Sequence, residues 1–517
     1  MGDSGVPMVV DNWIGASRAA DIDFKDLVEE VFDEYIANEI PIRLIHISKD
    51  NQGLNFKLVD RTFVKKHFKK VPDEIYRELR NERLVDRERR IRERVKETLK
   101  YAIFSHRWLF SEPSYQDMPT EPMRVRAEPE PKWKKLQEFC RKAKDDHDCE
   151  FAWSDTCCID KSRSAELDES IRSMFRWYRN SHICIAHLSE TANLAALERQ
   201  QKGEKGGGAK VDVWFTRGWT LQELLAPSQI KFYGTDWQPL IPLYHSKSDR
   251  ISDTIMRKIS KITHIPPKDL KSFKPGTDRV PEKMLWASKR RTTRIEDTAY
   301  CLIGIFDVSL MVAYGEGNRA FFRLMEEIIK RYDKWDVFLW SGKCSYYNAA
   351  LPYAPQCYPV GYQETLVKRP HEVGNEEEWN TASCEIGDRL FALTNHGLRI
   401  KVLPLSVILH DARDEMHDSR YLTFRHAEFN HDVVVRHIGT KREPHTTWAI
   451  AILDYWVNGS GKGFIDRARG DPFTAFLLSM DKLHAAPDVR WKKEMTEEVI
   501  KIRPTDHYAD TLVQLYL

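Results

Sequence analysis

Phe151-Ala-Trp-Ser-Asp-Thr-Cys-Cys-Ile-Asp-Lys161 begins as a short apolar and aromatic run and continues into a polar loop. An apolar run bounded in this way predicts a buried β-strand that ends at about Asp155. Residues 164–178 then repeat apolar side chains at helical spacing and carry Glu166 and Glu169 in the first turns. We therefore predict a strand, a loop and a helix, with the loop at the carboxyl end of the strand, where open α/β sheets bind ligands.

The composition predicts several folded domains. A chain of 517 residues is long for one core, and 42% hydrophobic with 11% aromatic residues supply ample apolar surface. The 80 basic and 78 acidic residues leave a net charge of +2. Because this balance gives no electrostatic reason to bind polyanions, we expect no nucleic-acid partner.

The cysteines and the hydropathy indicate a cytoplasmic protein. The nine cysteines form no CxxC pair and follow no signal peptide, which favours reduced thiols in the cytosol or nucleus. No apolar run is long enough to cross a bilayer, so we predict no membrane span. HExxH and paired CxxC motifs are absent from the sequence, and we predict no metal and no bound cofactor.

Further strand signals lie on both sides of residues 151–161. Apolar runs at 101–105, 182–188 and 229–233 predict strands, and residues 132–144 and 219–225 have helical spacing. Alternating strands and helices form mostly parallel sheets that are covered on both faces. The sequence thus predicts an α/β domain with a mostly parallel sheet over residues 96–240.

Three other regions surround this domain. Residues 1–95 are predicted to form a helical, charged extension with one strand at 41–47. Residues 241–335 have mainly helical patterns, and residues 336–517 contain repeated short strand signals. We predict a flanking helical region followed by a β-rich C-terminal domain.

Residues at the ends of the predicted strands supply candidate binding groups. They are Ser105, His106, Arg107 and Trp108 after the first strand, Asp155 and Cys157 after the second, and Arg217, Trp219 and Glu223 beyond the third. The carboxyl ends of parallel strands meet at one edge of a sheet, so these groups should converge. Arginine suits phosphate, tryptophan suits stacking and a carboxylate suits a ribose diol, which predicts a phosphorylated, ring-bearing ligand.

Each candidate also has a structural interpretation. Acidic residues are common in first helical turns, which would explain Glu166 without catalysis. His106 could be a satisfied structural histidine, and Cys157 with Cys158 could be buried packing. Asp155 could bond its own loop, and Arg217 with Trp219 could stack at the edge of the core. A nucleophile pair of Cys157 and His106 remains open, although nothing in the neighbouring sequence marks the thiol as activated.

Three long motifs span the predicted sheet domain. They are Tyr101-Ala-Ile-Phe-Ser-His-Arg-Trp, then Trp153-Ser-Asp-Thr-Cys-Cys-Ile-Asp-Lys with Ser164-Ala-Glu-Leu and Met174-Phe-Arg-Trp-Tyr, and then Phe215-Thr-Arg-Gly-Trp-Thr-Leu-Gln-Glu-Leu-Leu-Ala-Pro. In this order they resemble the motifs of the fungal heterokaryon incompatibility (HET) domain. Tyr314-Gly-Glu-Gly resembles part of the segment that commonly follows.

The resemblance implies a role in fungal nonself recognition and innate immunity, with the domain triggering regulated cell death. It also implies a distant similarity to Toll/interleukin-1 receptor (TIR) domains, which share a flavodoxin-like sheet. Some TIR domains hydrolyse NAD at the nicotinamide–ribose bond with one helix-borne glutamate. By this analogy NAD or a related nucleotide is the substrate, Glu166 is the first candidate for the catalytic residue, and Glu169 is the second.

The resemblance also implies roles for the strand-end residues. Ser105, His106 and Arg107 would hold phosphates or the nicotinamide edge, Trp219 would stack on a ring, and Asp155 would orient the loop. A second interpretation is a non-enzymatic adaptor that forms homo-oligomers through the HET domain. In either case an incompatibility partner protein is expected.

Overall fold

The computed structural model describes most of the chain from residue 24 onwards. The described ranges are 24–80, 86–109, 111–126, 129–200, 210–245, 247–358, 391–410, 421–425, 433–438, 446–457, 462–465, 473–481, 491–502 and 508–517. The first 23 residues of the predicted N-terminal extension therefore lie outside the described residues.

The helices lie mainly in the first two thirds of the chain. They are α1 (Phe24–Asn38), α2 (Arg61–His67), α3 (Val71–Leu79), α4 (Arg87–Thr98), α5 (Pro131–Asp145), α6 (Ser164–Asn180), α7 (Leu194–Gln200), α8 (Thr220–Leu225), α9 (Asp253–Thr263), α10 (Pro267–Lys271), α11 (Val280–Ser288), α12 (Asp297–Tyr300), α13 (Ile303–Phe306) and α14 (Arg319–Ile329).

The strands fall into two groups along the chain. The first group is β1 (Arg43–Asp50), β2 (Gly53–Asp60), β3 (Tyr101–His106), β4 (Met123–Arg124), β5 (Phe151–Trp153), β6 (Ile183–His187) and β7 (Ile230–Tyr233). The second is β8 (Ala392–Thr394), β9 (Gly397–Ser406), β10 (Ile408–His410), β11 (Tyr421–Arg425), β12 (Val433–Arg436), β13 (Thr446–Ile452), β14 (Trp456–Val457), β15 (Gly463–Ile465), β16 (Phe473–Asp481), β17 (Lys492–Lys493), β18 (Ile500–Ile502), β19 (Tyr508–Asp510) and β20 (Val513–Tyr516).

The first group forms one seven-stranded sheet in the order β4-β2-β1-β5-β3-β6-β7. Strands β5, β3, β6 and β7 lie side by side and run parallel. Along the chain, at least one helix precedes each of β5, β6 and β7. Strands β1, β2 and β4 extend the sheet in antiparallel fashion. The prediction of an α/β sheet is confirmed, but the sheet is mixed and not mostly parallel, since three of its six pairings are antiparallel.

Two of the three antiparallel strands, β1 and β2, come from the N-terminal extension, whereas β4 lies within the predicted sheet domain. Strands β1 and β2 form a hairpin in which Asp50 lies opposite Gly53, so only two residues make the turn. Gly53 has a φ of 128°, a conformation that a residue without a Cβ adopts readily. The extension therefore contributes two strands where one was predicted. A two-residue hairpin forces antiparallel pairing, and β1 then joins the sheet beside β5.

Helix α6 packs its apolar face on the parallel strands. Its buried side chains include Ile171, Met174 and Trp177, and Trp177 meets the strand residue Trp153 with ring centroids 5.7 Å apart. Tyr178 donates a hydrogen bond of 2.8 Å to the Phe104 carbonyl. The helical spacing in the sequence therefore corresponds to a helix that covers one face of the sheet.

The helical region after the sheet packs against the third motif. Backbone N–H of Gly218 donates to the Arg291 carbonyl (2.9 Å), and a Cβ at Gly218 would collide with Thr292. The buried Arg290 guanidinium donates to the Arg217 carbonyl and to Thr220 Oγ1, both at 2.9 Å. This contact fixes the segment that carries the candidates at positions 217, 219 and 223.

The C-terminal region is rich in β-strands, as predicted, and its described strand pairings are all antiparallel. Its main sheet follows the order β17-β16-β13-β9-β20, with β18 beside β16 and β8 beside β9. Two three-stranded sheets, β10-β11-β12 and β14-β15-β19, complete the described part. Within the described residues, none of the helices has the length and apolarity that crossing a bilayer would require.

A fully buried ion pair anchors the outer parallel strand. Lys231 Nζ lies 2.9 Å from Asp249 Oδ1, and both side chains are 0% exposed. The other oxygen of Asp249 accepts the Phe232 backbone N–H at 2.9 Å. Strand β7 is thus tied to the segment that enters the helical region.

We expect Asp249→Asn to lower the free energy of unfolding by about 3–5 kcal/mol, because it removes the negative charge beside a buried ammonium group. Urea unfolding followed by tryptophan fluorescence measures the change. Glu327→Gln is the matched control, because the Glu327–Lys330 pair is partly exposed and should contribute less than about 1 kcal/mol. Equal effects of the two substitutions would contradict the prediction.

Candidate functional site

The carboxyl ends of the parallel strands collect the polar groups that the sequence singled out. Ser105 and His106 end β3 and lie opposite Ala186 and His187 of β6 in the parallel register. All six residues of β3 are buried, so the polar side chains at its end lie inside the protein. They need protein partners there, because a buried polar group without one is costly.

Ser105 belongs to a buried hydrogen-bond chain. Its hydroxyl donates to Glu223 Oε2 at 2.5 Å and accepts from Trp214 Nε1 at 2.8 Å. Burial, followed by the negative charge of Asp155, raises the pKa of Glu223 to about 8. Hydrogen bonding by Ser105 and the positive charge of Arg217 only partly oppose this rise. Glu223 is therefore largely protonated at neutral pH, and Trp214 is a member of the chain that the sequence did not reveal.

His106 belongs to a second buried cluster. Its Nε2 lies 3.0 Å from Glu112 Oε2, and Lys135 Nζ lies 2.7 Å from Glu112 Oε1. Burial lowers the pKa of His106, and the neighbouring Lys135 charge lowers it further. Hydrogen bonding and charge from His106 and Lys135 outweigh burial and lower the pKa of Glu112 to about 2. Glu112 and Lys135 were missed because nothing in their local pattern distinguishes them from solvated charges.

Arg107 and Trp108 lie at the surface, beyond the end of β3. Arg107 forms an ion pair with Glu190 at 3.0 Å. Trp108 donates its indole N–H to Asp155 Oδ2 at 2.9 Å, and its ring, 43% exposed, has the Lys161 ammonium 3.9 Å from its centroid. Asp155 thus orients the Trp108 ring across the gap between two loops.

Cys157 is a core residue. Its side chain is 0% exposed, and hydrogen bonding with Cys158 together with burial holds the pKa of its thiol well above the usual range. His106 is occupied with Glu112. These contacts favour the packing interpretation of Cys157 over a nucleophile pair with His106.

The two acidic candidates of α6 contact arginines from the N-terminal extension. Glu166 forms an ion pair with Arg43, and its Oε1 also accepts the Asp160 backbone N–H at 2.8 Å. Glu169 lies 3.3 Å from Arg61 and is about half exposed. Arg43 was not predicted as a site residue, since its strand lies more than 100 residues before Glu166 in the sequence.

Trp219 and Arg217 face the helical region. Burial raises the pKa of Asp297, and hydrogen bonds from Tyr314 and Trp219 oppose this rise. The Arg217 backbone pairs with Arg291 in an isolated bridge, and the positive charge of Arg217 reaches Glu223. The structure therefore brings Ser105, Asp155 and Arg217 close enough to Glu223 for each of them to influence its pKa.

No metal site is predicted anywhere in the sequence. Across the described part of the chain, His, Cys, Asp and Glu side chains do not assemble in groups of three or more that could hold a metal ion.

Comparison with known proteins identifies the class of domain. Residues 101–213 match the family model described as "Heterokaryon incompatibility protein (HET)". The chain therefore carries a HET domain, which confirms the resemblance, and the match covers the first two of its three motifs. The matched residues run from the start of β3 to two residues before the third motif and include Ser105, Asp155 and Glu166.

One protein with a similar sequence is the Vegetative incompatibility protein HET-E-1 of Podospora anserina. It is 40% identical to this chain over 238 residues, which amount to 44% of this chain and 16% of HET-E-1. This chain therefore covers well under two thirds of that relative. No solved structure matches the chain.

We expect Glu223→Gln to remove a pH dependence of stability between about pH 4.5 and 8. The folded state binds the Glu223 proton more tightly than the unfolded state, so stability from this group is present at low pH and falls as the pH rises to about 8. The difference between the unfolding free energies of wild type and variant should change by about 1 kcal/mol per pH unit in this window. A difference that is constant with pH would contradict the buried, protonated Glu223.

Iodoacetamide at pH 8 should alkylate Cys157 in the native chain at least about 10-fold more slowly than the half-buried Cys344, because the Cys157 thiol is buried and its pKa is raised. Mass spectrometry of peptides from a time course measures both rates. Preferential labelling of Cys157 would instead support its pairing with His106 as a nucleophile.

Proposed function

We propose that this chain acts in fungal vegetative incompatibility, with its HET domain starting a regulated cell-death response in the cytoplasm. The observation that carries the proposal is the 40% identity to HET-E-1 over 238 residues, a stretch longer than the 113-residue family match. The TIR-like relationship of the parallel half of the sheet and the need for an incompatibility partner protein are parts of the same proposal.

The proposed chemistry is hydrolysis of NAD at the nicotinamide–ribose bond by Glu166. Nicotinamide leaves as a neutral molecule from a cationic ring, so its departure needs little help from an acid. One carboxylate can hold the ribose hydroxyls and stabilise the positive charge that develops on the sugar. Glu166 supports this role by its position at the start of α6, directly after the loop at the carboxyl end of β5.

Neighbouring groups have chemistry suited to the rest of the dinucleotide. Trp108 presents a partly exposed ring that Asp155 orients, which suits stacking on a base. Lys161 lies over that ring and suits a phosphate. Ser105 and His106 are buried and bonded to protein groups, so we propose that they support the walls of the site and do not contact phosphate directly.

A non-enzymatic adaptor is the second candidate function. It is favoured by the pairing of the edge residues with one another: Glu166 with Arg43, Arg107 with Glu190, and Trp108 with Asp155. In this case the HET domains would form homo-oligomers on activation and pass the signal to partner proteins, and the motifs would maintain the fold.

For the enzyme we expect Glu166→Gln to reduce NAD turnover by the purified full chain at least about 100-fold, because it removes the charge that stabilises the transition state. Nicotinamide release, measured by chromatography at high protein concentration with a crowding agent, gives the rate. Glu169→Gln is the comparison variant, since Glu169 lies on the same helix and is half exposed.

Three outcomes distinguish the candidates. Loss of turnover with Glu166→Gln alone supports the proposed enzyme, and loss with Glu169→Gln alone transfers catalysis to Glu169. In the third outcome, neither the wild type nor either variant releases nicotinamide, and all three still trigger cell death in a fungal expression strain. This outcome excludes the enzyme and supports the adaptor.

A further inference from the structure

Arg43 lies outside the HET family match and yet reaches the candidate catalytic carboxylate. The match begins at residue 101, and Arg43 is the first residue of β1. Strand β1 runs antiparallel to β5, with Ile45 opposite Ala152. The beginning of β1 therefore lies at the same edge of the sheet as the end of β5, so an arginine of the N-terminal extension is placed where the parallel strands present their loops.

The Arg43 guanidinium lies between a carboxylate and an aromatic ring. Its Nη1 contacts Glu166 Oε1, and its central carbon lies 4.5 Å from the centroid of the Tyr115 ring. The Arg43 side chain is 15% exposed and that of Glu166 is 9% exposed. The ion pair is shielded but retains access to solvent, which a soluble anion needs in order to reach the guanidinium.

The Glu166 carboxylate has a second anchor. Its Oε1 accepts the Asp160 backbone N–H at 2.8 Å as well as the Arg43 guanidinium. If Arg43 turned away, the Asp160 N–H would still hold Oε1 at the helix start. The Tyr115 ring would likewise still support the guanidinium, since a cation over a ring face is stabilised without a carboxylate.

We propose that Arg43 is a substrate-binding residue that takes the diphosphate of the dinucleotide and, in doing so, releases Glu166 for the ribose. The assignment rests on the proposed function of Glu166. A guanidinium binds phosphate oxygens through two parallel N–H groups, and a diphosphate offers more negative charge than a single carboxylate. The diphosphate of NAD is joined to the nicotinamide ribose, so a cation beside the catalytic carboxylate is in the position where this diphosphate arrives.

This exchange of partners, in which Arg43 leaves Glu166 for the diphosphate, also explains why Arg43 and Glu166 form an ion pair in the ligand-free chain. Without substrate, Arg43 neutralises a carboxylate that is mostly withdrawn from water, which avoids the cost of an isolated buried charge. With substrate, each member of the pair gains a new partner, Arg43 the diphosphate and Glu166 the ribose hydroxyls. No bond is broken in this step, and the chemistry begins only afterwards.

The test uses the purified full chain and calorimetric binding of ADP-ribose, which contains the diphosphate and does not turn over at the nicotinamide–ribose bond. We expect Arg43→Ala to weaken ADP-ribose binding at least about 10-fold, in line with the loss of a charge-assisted pair. Arg43→Lys should recover part of the affinity. Adenosine, which lacks phosphate, should bind wild type and Arg43→Ala equally.

Arg172→Ala is the matched control, because Arg172 forms an ion pair with Asp168 on the exposed side of the same helix. It should bind ADP-ribose like wild type. Thermal melting of each variant identifies any loss of folding. If Arg43→Ala does not fold, the ADP-ribose affinity of wild type is compared with that of Arg43→Lys, which keeps the positive charge but lacks the two parallel N–H groups. Equal ADP-ribose affinity of wild type and Arg43→Ala, or no ADP-ribose binding by wild type, overturns the assignment.

Turnover separates this assignment from the proposed function. If wild type releases nicotinamide and Arg43→Ala does so with an unchanged KM, Arg43 has no role and the enzyme stands. If ADP-ribose binds in an Arg43-dependent way but no nicotinamide is released, the site binds sugar diphosphates and the hydrolase is wrong.

Discussion

The central constraint in this structure is the burial of β3 between β5 and β6. Every residue of β3 is buried, and its parallel register places Ser105 and His106 beside the end of β6. A strand enclosed on both faces and both edges cannot expose its terminal polar side chains to water, so they must bond to the protein. The Ser105–Glu223 hydrogen bond and the contact of His106 Nε2 with Glu112 supply such partners, whereas His106 Nδ1 has none among the described residues. The arrangement of helices α5 and α8 follows from this requirement, because α8 carries Glu223 and α5 carries the lysine that pairs with Glu112.

The same burial explains the distribution of charge. Glu223 lies deep inside, where burial and the negative charge of Asp155 raise its pKa to about 8. At neutral pH it therefore acts mainly as a neutral hydrogen-bonding group. Glu112 lies next to Lys135 and His106, and its lowered pKa keeps it ionised. Two carboxyl groups near one sheet edge therefore differ in protonation because their neighbours differ. Glu166, paired with Arg43, belongs to neither cluster.

Segments outside the family match complete the site. The N-terminal hairpin adds two strands and supplies Arg43 to Glu166, and helix α2, which follows it, supplies Arg61 to Glu169. The helical region after the sheet holds the third motif through Arg290 and the close approach at Gly218. The HET domain is thus packed against elements of this chain that precede and follow it.

The sequence by itself determined the strands β3, β5, β6 and β7, helices α5 and α6, and the family, because these depend on local apolar periodicity and on contiguous motifs. It also placed Ser105, Asp155 and Glu223 near one another, because parallel strands end at one edge. Only the tertiary structure decided that the sheet is mixed, that Cys157 is packed in the core, and that Arg43 contacts Glu166. These features depend on which distant segments meet. The ion pair across more than 100 residues and the antiparallel pairing of β1 with β5 leave no local pattern, since they arise from the packing of distant segments and not from the spacing of neighbouring residues.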